Sequence, residues 1–317
     1  MGKGSGYGKS ILFGEHFVLY EYQGEALPAI AAAIGSTTTC YVRPISSPGW
    51  KLTDRRPAVP GYKTKKKEEQ RVSIENILRF AGIDLSEQGI HITLGGKLVC
   101  ASGVGASAAS CTALARALND EFKLGWDDHQ VNAAAYEGEK GYHGTPSGID
   151  NTAATFGGIV WFQRGASGSP PTVETIKLKE PTELVIASSG ITASTKEVVG
   201  DVRRMKEEKA NWFDQILEDY KDIVTAGRQG LEEMDLRLIG LLMNQNHNLL
   251  IEIGVTCDEI EEIVGVARKA GAWGAKVTGT GRGGNVIALT PGRALQRNVA
   301  GAIEQRGYSV WSTRIGV

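Results

Sequence analysis

Two carboxylate-bearing stretches stand close together in the middle of the sequence. Glu139 belongs to a helical segment, and Asp150 follows in the Gly/Pro-containing loop that runs from Thr145 to Asn151. Carboxylates in such positions can hold a hard cation and can accept a proton from a substrate. Asp150 could equally cap a helix that begins at Asn151, so the residues alone leave a catalytic and a structural interpretation open.

A glycine-rich segment, residues 102–108, lies between a predicted strand and a predicted helix. Glycines let backbone N–H groups turn inward around an anion, and the positive end of the following helix favours phosphate there. Gly103, Gly105 and Ala108 also match a dinucleotide fingerprint. That fingerprint needs a second parallel strand that ends in an acid about 20 residues on, whereas Asp120 lies in helical sequence. A glycine-rich turn without a ligand is the other alternative.

The N-terminal sequence GKGSGYGKS resembles a P-loop in composition but not in register, because Lys3 stands where the first glycine of that motif belongs. Lys9 then precedes a predicted strand that contains Gly14, Glu15 and His16. Gly14 is where a bulge in this strand is expected. On spacing alone, Glu15 and His16 are structural more often than functional.

The run Gly279-Thr280-Gly281-Arg282-Gly283-Gly284 also has the form G-x-G-x-x-G. A predicted strand, and not a helix, follows it at 285–289, and another short strand precedes it at 274–278. A tight hairpin therefore explains this run at least as well as a ligand site does.

Length, charge and cysteine spacing exclude several classes of protein. The 317 residues are enough to bury one large core or two moderate ones. Because 35 Lys and Arg balance 36 Asp and Glu, no overall field favours nucleic acid or anionic lipid. The four cysteines lack C-x-x-C spacing, which argues against a disulfide framework and against zinc. Without a secretory signal or a long apolar run, we expect a cytoplasmic protein with no membrane or nucleic-acid partner.

Hydrophobic periodicity predicts sheets and helices in both halves of the chain. Expected strands are 10–20, 29–42, 90–94, 157–162, 274–278, 285–289 and 308–315. Expected helices are one through 74–81, one over 108–122 and one that begins after an Asp127 cap and ends in the loop 141–146. A single long amphipathic helix is expected over 198–224, and two more over 236–250 and 260–270. The small, polar segment 166–171 is the expected boundary between two domains, residues 1–168 and 169–317.

In their order along the chain, these motifs resemble those of the GHMP small-molecule kinases, most closely the mevalonate kinase family. The resemblance rests on Lys9 with Gly14-Glu15-His16, on 102–107, on Pro146-Ser147-Gly148-Ile149-Asp150-Asn151 and on Lys276-Val277-Thr278-Gly279-Thr280-Gly281. Supporting stretches are 7–17, 56–62, 141–145 and 190–195. It covers nearly the whole chain. It implies a two-lobed α+β fold with a mixed α/β N-terminal lobe that binds ATP, an α+β C-terminal lobe and the active site between them.

The resemblance also implies a reaction, the ATP-dependent phosphorylation of the 5-hydroxyl of (R)-mevalonate, an early step of isoprenoid biosynthesis. Asp150 matches the catalytic aspartate, Lys9 the lysine beside it, and Ser107 and Glu139 the Mg²⁺ ligands. Matched to the ATP phosphates are Ser102, Gly103, Val104, Gly105, Ala106 and Ser107. Matched to the substrate side are Glu15, His16, Thr192, Gly279, Thr280 and Gly281. Relatives of this kind include monomers and homodimers.

The sequence departs from the family pattern at four positions. Tyr7 stands where a proline often precedes the Gly-Lys pair, and Cys100 where a proline often opens the phosphate loop. Ala108 replaces a second serine, and Arg282 a commoner glycine. None of these changes removes a charge or a metal ligand, so they bear on loop rigidity and hence on ATP affinity.

Three other functions stay open at this point. One is a kinase of the same superfamily that acts on a sugar, homoserine or a phosphorylated mevalonate. Another is a ligand sensor on an inactive kinase scaffold, although such a binder has no need of Lys9, Glu139 and Asp150 together. The third is an NAD-dependent oxidoreductase that uses residues 103–108, which nucleotide-dependent thermal stabilisation would distinguish.

Overall fold

The fold is taken from a computed structural model, which describes residues 1–100, 103–165, 169 and 171–317. The first part of the chain contains β1 (Gly2–Phe13), β2 (Glu21–Tyr22), β3 (Glu25–Ala26), β4 (Ala29–Ile45), β5 (Trp50–Asp54), α1 (Tyr62–Lys65), α2 (Lys67–Phe80), β6 (Gly89–Gly96), α3 (Ala106–Phe122), α4 (Asp128–His143) and α5 (Ile149–Phe156). A short 3₁₀ turn at Phe17–Leu19 follows β1.

The second part of the chain begins with two short strands and ends with a strand. Its elements are β7 (Ile159–Gln163), β8 (Thr172–Ile176), β9 (Thr182–Ser188), α6 (Thr195–Glu208), α7 (Ala210–Glu233), α8 (Leu236–Glu252), α9 (Asp258–Lys269), β10 (Gly274–Thr278), β11 (Asn285–Leu289), α10 (Arg293–Glu304) and β12 (Ser309–Ile315).

The chain divides into two compact units. The first unit contains Met1–Lys9 and Ala33–Gly157, and the second contains Ser10–Ala32 and Gly158–Val317. Strands β1 and β4 therefore have residues in both units. The expected domain boundary at 168 and 169 stays a prediction, since residue 168 lies outside the described part of the chain.

The first unit is a sheet covered by helices. In it β4 pairs with β6 in antiparallel register, from Thr38 opposite Gly96 to Ile45 opposite Gly89, and β5 pairs with β6 in parallel. Helices α2, α3 and α4 pack on one another and share one apolar core with these strands. The core residues contributed by strands and helices are Cys40, Val42, Ile74, Ile77, Leu78, Ile90, Ile92, Leu94, Leu114, Leu118, Val131 and Ala135.

The alternating glycines of β1 are explained by a close contact between this strand and α3. A Cβ at each of three of them would lie 2.2 to 2.4 Å from a carbonyl oxygen of the helix, and the pairs are Gly2 with Ala117, Gly4 with Ala113 and Gly6 with Ala109. Only glycine leaves room for backbone so close to backbone. The N-terminal run that resembles a P-loop is therefore a strand packed against a helix, which agrees with the register argument above.

The second unit contains an antiparallel sheet in the order β10-β11-β9-β12. Helices α8 and α9 pack on β10, and α10 packs on β9 and β12. The first residues of β4 pair with β7, which in turn pairs with β8. Tyr220 of α7 stacks on Phe17 with 4.3 Å between ring centroids and donates a hydrogen bond of 2.7 Å to the carbonyl oxygen of Pro28.

Several predicted elements are confirmed. Strands β10 and β11 form the expected hairpin around the glycine run 279–284. Asp127 caps α4, because its Oδ1 accepts a hydrogen bond from the N–H of Gln130 and its own N–H donates to Oε1 of Gln130. A helix, α4, follows α3 where a dinucleotide fold requires a strand.

Other expectations are wrong. The single helix predicted over 198–224 is two helices, α6 and α7, which are separated at Lys209, where ψ is 49°. The break lies where no apolar residue stands between Met205 and Trp212 except Ala210, so burial does not hold the chain helical there. The periodicity also misses β5, β8, β9 and α10.

Within the described ranges, no helix combines the length and the apolar character that crossing a membrane requires.

We predict that Gly4→Ala destabilises the first unit, because the new methyl group would lie 2.2 Å from the carbonyl oxygen of Ala113. Overpacking of this kind costs about 2 kcal/mol, which corresponds to a fall of about 5 °C in the thermal midpoint. Ser5→Ala, at an exposed position of the same strand, should leave the midpoint unchanged. Equal midpoints in a thermal scan of the two variants would contradict the contact.

Candidate active site

The glycine-rich segment packs against Lys9 in the first unit. Gly103 and Gly105 have φ values of 83° and 66°, and α3 begins directly after Gly105. The N–H of Lys9 donates a hydrogen bond of 2.9 Å to the carbonyl oxygen of Val104. A Cβ on Gly105 would lie 2.7 Å from Cγ of Lys9, which leaves no room for a larger residue. Ser102, predicted to bind ATP, lies outside the described residues.

The side chain of Lys9 forms an ion pair with Asp150. Its Nζ lies 3.0 Å from Oδ1 of Asp150, with Lys9 5% and Asp150 29% exposed. Asp150 stands in the first turn of α5, which begins at Ile149 after Gly148 with φ 92°. The alternative in which Asp150 caps a helix beginning at Asn151 is therefore wrong. The carboxylate is free to face a ligand while Lys9 holds it.

Glu139 is a nearly fully buried acid, at 1% exposure, on α4. Sγ of Cys111 donates a weak hydrogen bond of 3.7 Å to its Oε1, and Nε2 of His143 lies 3.7 Å from its Oε2. Burial, and then the negative charge of Asp150, raise the pKa of Glu139 to about 8, against the opposing effects of hydrogen bonds from Ser107 and Cys111. The structure thus brings Ser107, Glu139, Asp150 and Lys9 together.

A buried ion pair anchors Glu15 in the second unit. Nζ of Lys276 lies 2.5 Å from Oε1 of Glu15, and both side chains are 0% exposed. Nζ also donates 2.7 Å to the carbonyl oxygen of Val277. Burial lowers the pKa of Lys276, and the charge of Glu15 opposes this. The resemblance matches Glu15 to the substrate side, which stays a prediction, and the structure pairs its carboxylate with a lysine of β10.

His16 follows Glu15 in a backbone conformation that is uncommon for a residue other than glycine, with φ 61°. Its Nε2 lies 2.8 Å from the carbonyl oxygen of Thr280. Burial, assisted by the charge of Arg282, lowers the pKa of His16 against the effect of the Thr280 bond. The ring is therefore neutral at neutral pH, with the proton on Nε2, because a carbonyl only accepts. The buried Nδ1, which has no hydrogen-bond partner among the described residues, is left as an acceptor.

The loop 279–284 is held by bonds to other parts of the second unit. The hydroxyl groups of Thr280 and Thr195 share a hydrogen bond of 2.7 Å, whereas Thr192, the predicted substrate contact, is exposed. Arg282 has φ 50°, and its Nε donates a hydrogen bond of 2.8 Å to the carbonyl oxygen of Gly254. Gly279 and Gly281 have φ values of 89° and 78°, as a tight turn requires.

The second unit also contains a cavity that the sequence analysis missed. Its volume is about 640 Å³, and the residues lining it are Leu19, Tyr20, Arg164, Val199, Arg203, Lys206, Glu207 and Ala210. Nε of Arg164 donates 2.8 Å to the carbonyl oxygen of Val18, and Nζ of Lys206 lies 5.0 Å from the ring centre of Tyr20. Three cations against one acid favour an anionic ligand. These basic residues lie singly on a helix and after a strand, so their spacing in the sequence does not indicate that they share a cavity.

Comparison with known proteins places the chain in a family. The GHMP kinases N terminal domain matches residues 71–158, and the GHMP kinases C terminal domain matches residues 228–309. A mevalonate kinase of Pyrococcus abyssi is 32% identical over an alignment of 329 positions, gaps included, that covers 97% of this chain and 93% of the relative. The chain belongs to the mevalonate kinase family.

Solved structures agree with membership of the mevalonate kinase family. The crystal structure of L. major mevalonate kinase in complex with R-mevalonate has a TM-score of 0.93 and 39% identity, covering 99% of this chain and 96% of that one. A galactokinase of Lactococcus lactis, complexed with galactose, has a TM-score of 0.70 at 19% identity, with 99% and 93% coverage, and shares the fold alone. The architecture is the α+β fold of the GHMP kinases.

We predict that the Glu15–Lys276 pair is strongly coupled in its effect on stability. Either Glu15→Gln or Lys276→Met leaves a buried group without its counter-charge, which should cost about 3 kcal/mol in the free energy of unfolding. The double variant removes both charges and should recover most of this loss. Urea unfolding of the four proteins measures the coupling energy.

Losses that simply add in the double variant would contradict a direct pairing of Glu15 with Lys276. Lys221→Met is a suitable control for the loss of a lysine charge. Its side chain is 39% exposed and pairs with the exposed Glu25, so its removal should change stability little.

Proposed function

We propose that this chain transfers the γ-phosphoryl group of ATP to the 5-hydroxyl of (R)-mevalonate. Membership of the mevalonate kinase family supports the substrate, since the L. major relative was solved with R-mevalonate. The observation that carries the chemistry is the Lys9–Asp150 ion pair next to the buried Glu139. Phosphoryl transfer asks chiefly for positioning and for charge stabilisation, and these are what such a group of residues provides.

In this proposal Asp150 receives the substrate hydroxyl. Its partly exposed carboxylate can accept the hydrogen bond of the 5-hydroxyl, orient it for attack and take its proton. Lys9, which is nearly buried, fixes the carboxylate and balances the negative charge that gathers on the transferring group. No covalent intermediate on the protein is needed.

The ATP phosphates are assigned to the loop that ends at α3. Gly103 and Gly105, both with positive φ, allow successive N–H groups to face an anion. The N-terminus of α3 at Ala106 adds its unpaired N–H groups and its partial positive charge. The same assignment extends to Ser102 by sequence alone.

Ser107 and Glu139 are assigned as the residues that hold Mg²⁺. Glu139 is buried near the negative charge of Asp150, and Lys9 pairs with Asp150, so two carboxylates stand against the ammonium group of Lys9, an arrangement that fits a divalent cation. No group of three His, Cys, Asp or Glu side chains in the described ranges could hold a metal alone. That agrees with Mg²⁺, which takes one or two protein ligands and completes its shell with phosphates and water. When bound, the ion neutralises phosphate charge.

The substrate side is assigned to His16 and to the cationic cavity. The free Nδ1 of His16 can accept a hydrogen bond from a substrate hydroxyl. Mevalonate carries a carboxylate, and Arg164, Arg203 and Lys206 of the cavity can bind it. Glu15 acts on the substrate through His16 in this arrangement and does not contact it.

We predict that Asp150→Asn lowers kcat on mevalonate by at least about 100-fold, the usual contribution of a positioned proton acceptor. Asparagine keeps the size of the side chain but cannot take the proton. Coupled ADP release with ATP-Mg²⁺ measures this, and ATP affinity should change little. Asp128→Asn, at an exposed position of α4, is the control.

The same assay, run with phosphomevalonate, galactose and homoserine, tests the substrate. Turnover on one of these in place of mevalonate would reject the proposed acceptor and keep the kinase chemistry. Thermal stabilisation by NAD, and not by ATP-Mg²⁺, would reject both.

We predict that Arg203→Gln raises the KM for mevalonate about tenfold or more, because a charge-assisted bond to a carboxylate contributes about 1.5 to 3 kcal/mol. The KM for ATP should stay the same. Arg204→Gln is a matched control, since Arg204 is 72% exposed and does not line the cavity. Equal KM values for mevalonate in the two variants would remove the cavity from the substrate site.

A further inference from the structure

Residues 54–63, called the strap below, run beside the start of the glycine-rich loop. The backbone N–H of Cys100 donates 2.8 Å to the carbonyl oxygen of Pro57, and the N–H of Val59 donates 3.1 Å to the carbonyl oxygen of Cys100. Ala58 and Cys100 form a parallel β-bridge. The strap therefore fixes the backbone of the residue from which the loop departs.

The strap reaches the far end of the same loop through Arg56. Nη1 of Arg56 donates 3.3 Å to the carbonyl oxygen of Ala106, the first residue of α3. Its Nε and Nη2 donate to the carboxylate of Asp54 at 3.0 and 2.7 Å. Lys63 and Gln70 bind Asp54 as well, at 3.0 Å to its carbonyl oxygen and 3.2 Å to Oδ2.

Arg56 is 5% exposed, so its charge interacts with groups inside the protein and not with a ligand in solution. Burial alone would raise the pKa of Asp54, but the bonds and the charge of Arg56 outweigh it and lower that pKa to about 2. The pair is thus ionised throughout the physiological range. A planar, pre-formed guanidinium fork can hold a carboxylate and a carbonyl at once, which a lysine cannot do.

The attachment at Cys100 depends on its backbone N–H. A proline has no N–H and could not make the bond from residue 100 to Pro57. In place of a ring that restricts φ, this chain has a hydrogen-bonded strap. The loop is then held at Cys100 and Ala106 by the strap, and at Val104 by the N–H of Lys9.

We propose that the strap keeps the phosphate-binding loop in its ATP-binding conformation, with Arg56 as the positioning residue. The inference rests on the proposed function only in taking the loop as the phosphate site. Arg56 acts through the backbone of the loop and touches neither substrate in this account. Loss of Arg56 should therefore weaken nucleotide binding selectively.

The test compares Arg56→Met with Arg55→Met. Arg55 is the preceding residue and is exposed, so its substitution removes the same charge without touching the loop. We expect Arg56→Met to raise the Kd and the KM for ATP about tenfold, the effect of losing a charge-assisted hydrogen bond. The KM for mevalonate should not change, and Arg55→Met should resemble the unmodified protein in both constants.

If Arg56→Met does not fold, Arg56→Lys serves instead, because it keeps a positive charge beside Asp54 and loses the fork. It should raise the Kd for ATP severalfold. An unchanged Kd for ATP, or equal rises in the KM values for ATP and mevalonate, would overturn the proposal. The Kd for ATP is measured by calorimetry without an acceptor. Failure to phosphorylate mevalonate would thus reject the proposed function while the Arg56 comparison still decides the role of the strap.

Discussion

The ion pair between Lys9 and Asp150 is the interaction on which the arrangement of the first unit depends. Lys9 uses two separate groups, since its backbone N–H holds the carbonyl of Val104 and its Nζ holds Asp150. Strand β1, the glycine-rich loop and helix α5 are thereby joined at one residue. Because Lys9 is nearly buried, it needs a counter-charge, which Asp150 in the first turn of α5 supplies. Burial, and then the negative charge of the carboxylate so placed, raise the pKa of Glu139.

The second unit uses its buried ion pair for placement and not for chemistry. Glu15 and His16 are neighbours in sequence, and both bind the segment from Lys276 to Thr280. Because the side chains of both residues are bound to this strand and its loop, His16 keeps a positive φ that is unfavourable in an isolated peptide. The desolvation cost of the pair is thus accompanied by a specific gain, a neutral imidazole with a defined free nitrogen. Removal of the pair would release His16 even though neither charge faces the substrate in the proposed arrangement.

Sequence reasoning succeeded where residue type is set by local conformation. Gly103 and Gly105 have the positive φ that the motif predicts, and Asp150 lies beside Lys9 as the resemblance implies. It failed where the partner is distant in the chain, because nothing near Glu15 identifies Lys276. Helix α6 ends at Glu208 for a tertiary reason, the lack of a buried residue after it, while periodicity on both sides continues. The cationic cavity depends on which basic side chains the packing brings together, and no spacing expresses that.

The alternating glycines of β1 are in register with successive turns of helix α3. Two residues of a strand advance about 6.7 Å and four residues of an α-helix about 6 Å, so the two repeats are nearly commensurate. Three glycines can therefore meet three turns of α3 before the mismatch matters, and the next one, Gly8, lies against the side chains of Leu98 and Ile34 instead. The pairs run in opposite chain directions, so the end of β1 that carries Lys9 comes level with the start of α3. Deletion of one residue between Gly6 and Lys9 would either turn the upstream glycines to the other face or, if they kept their contacts, shift the lysine out of register with the helix terminus.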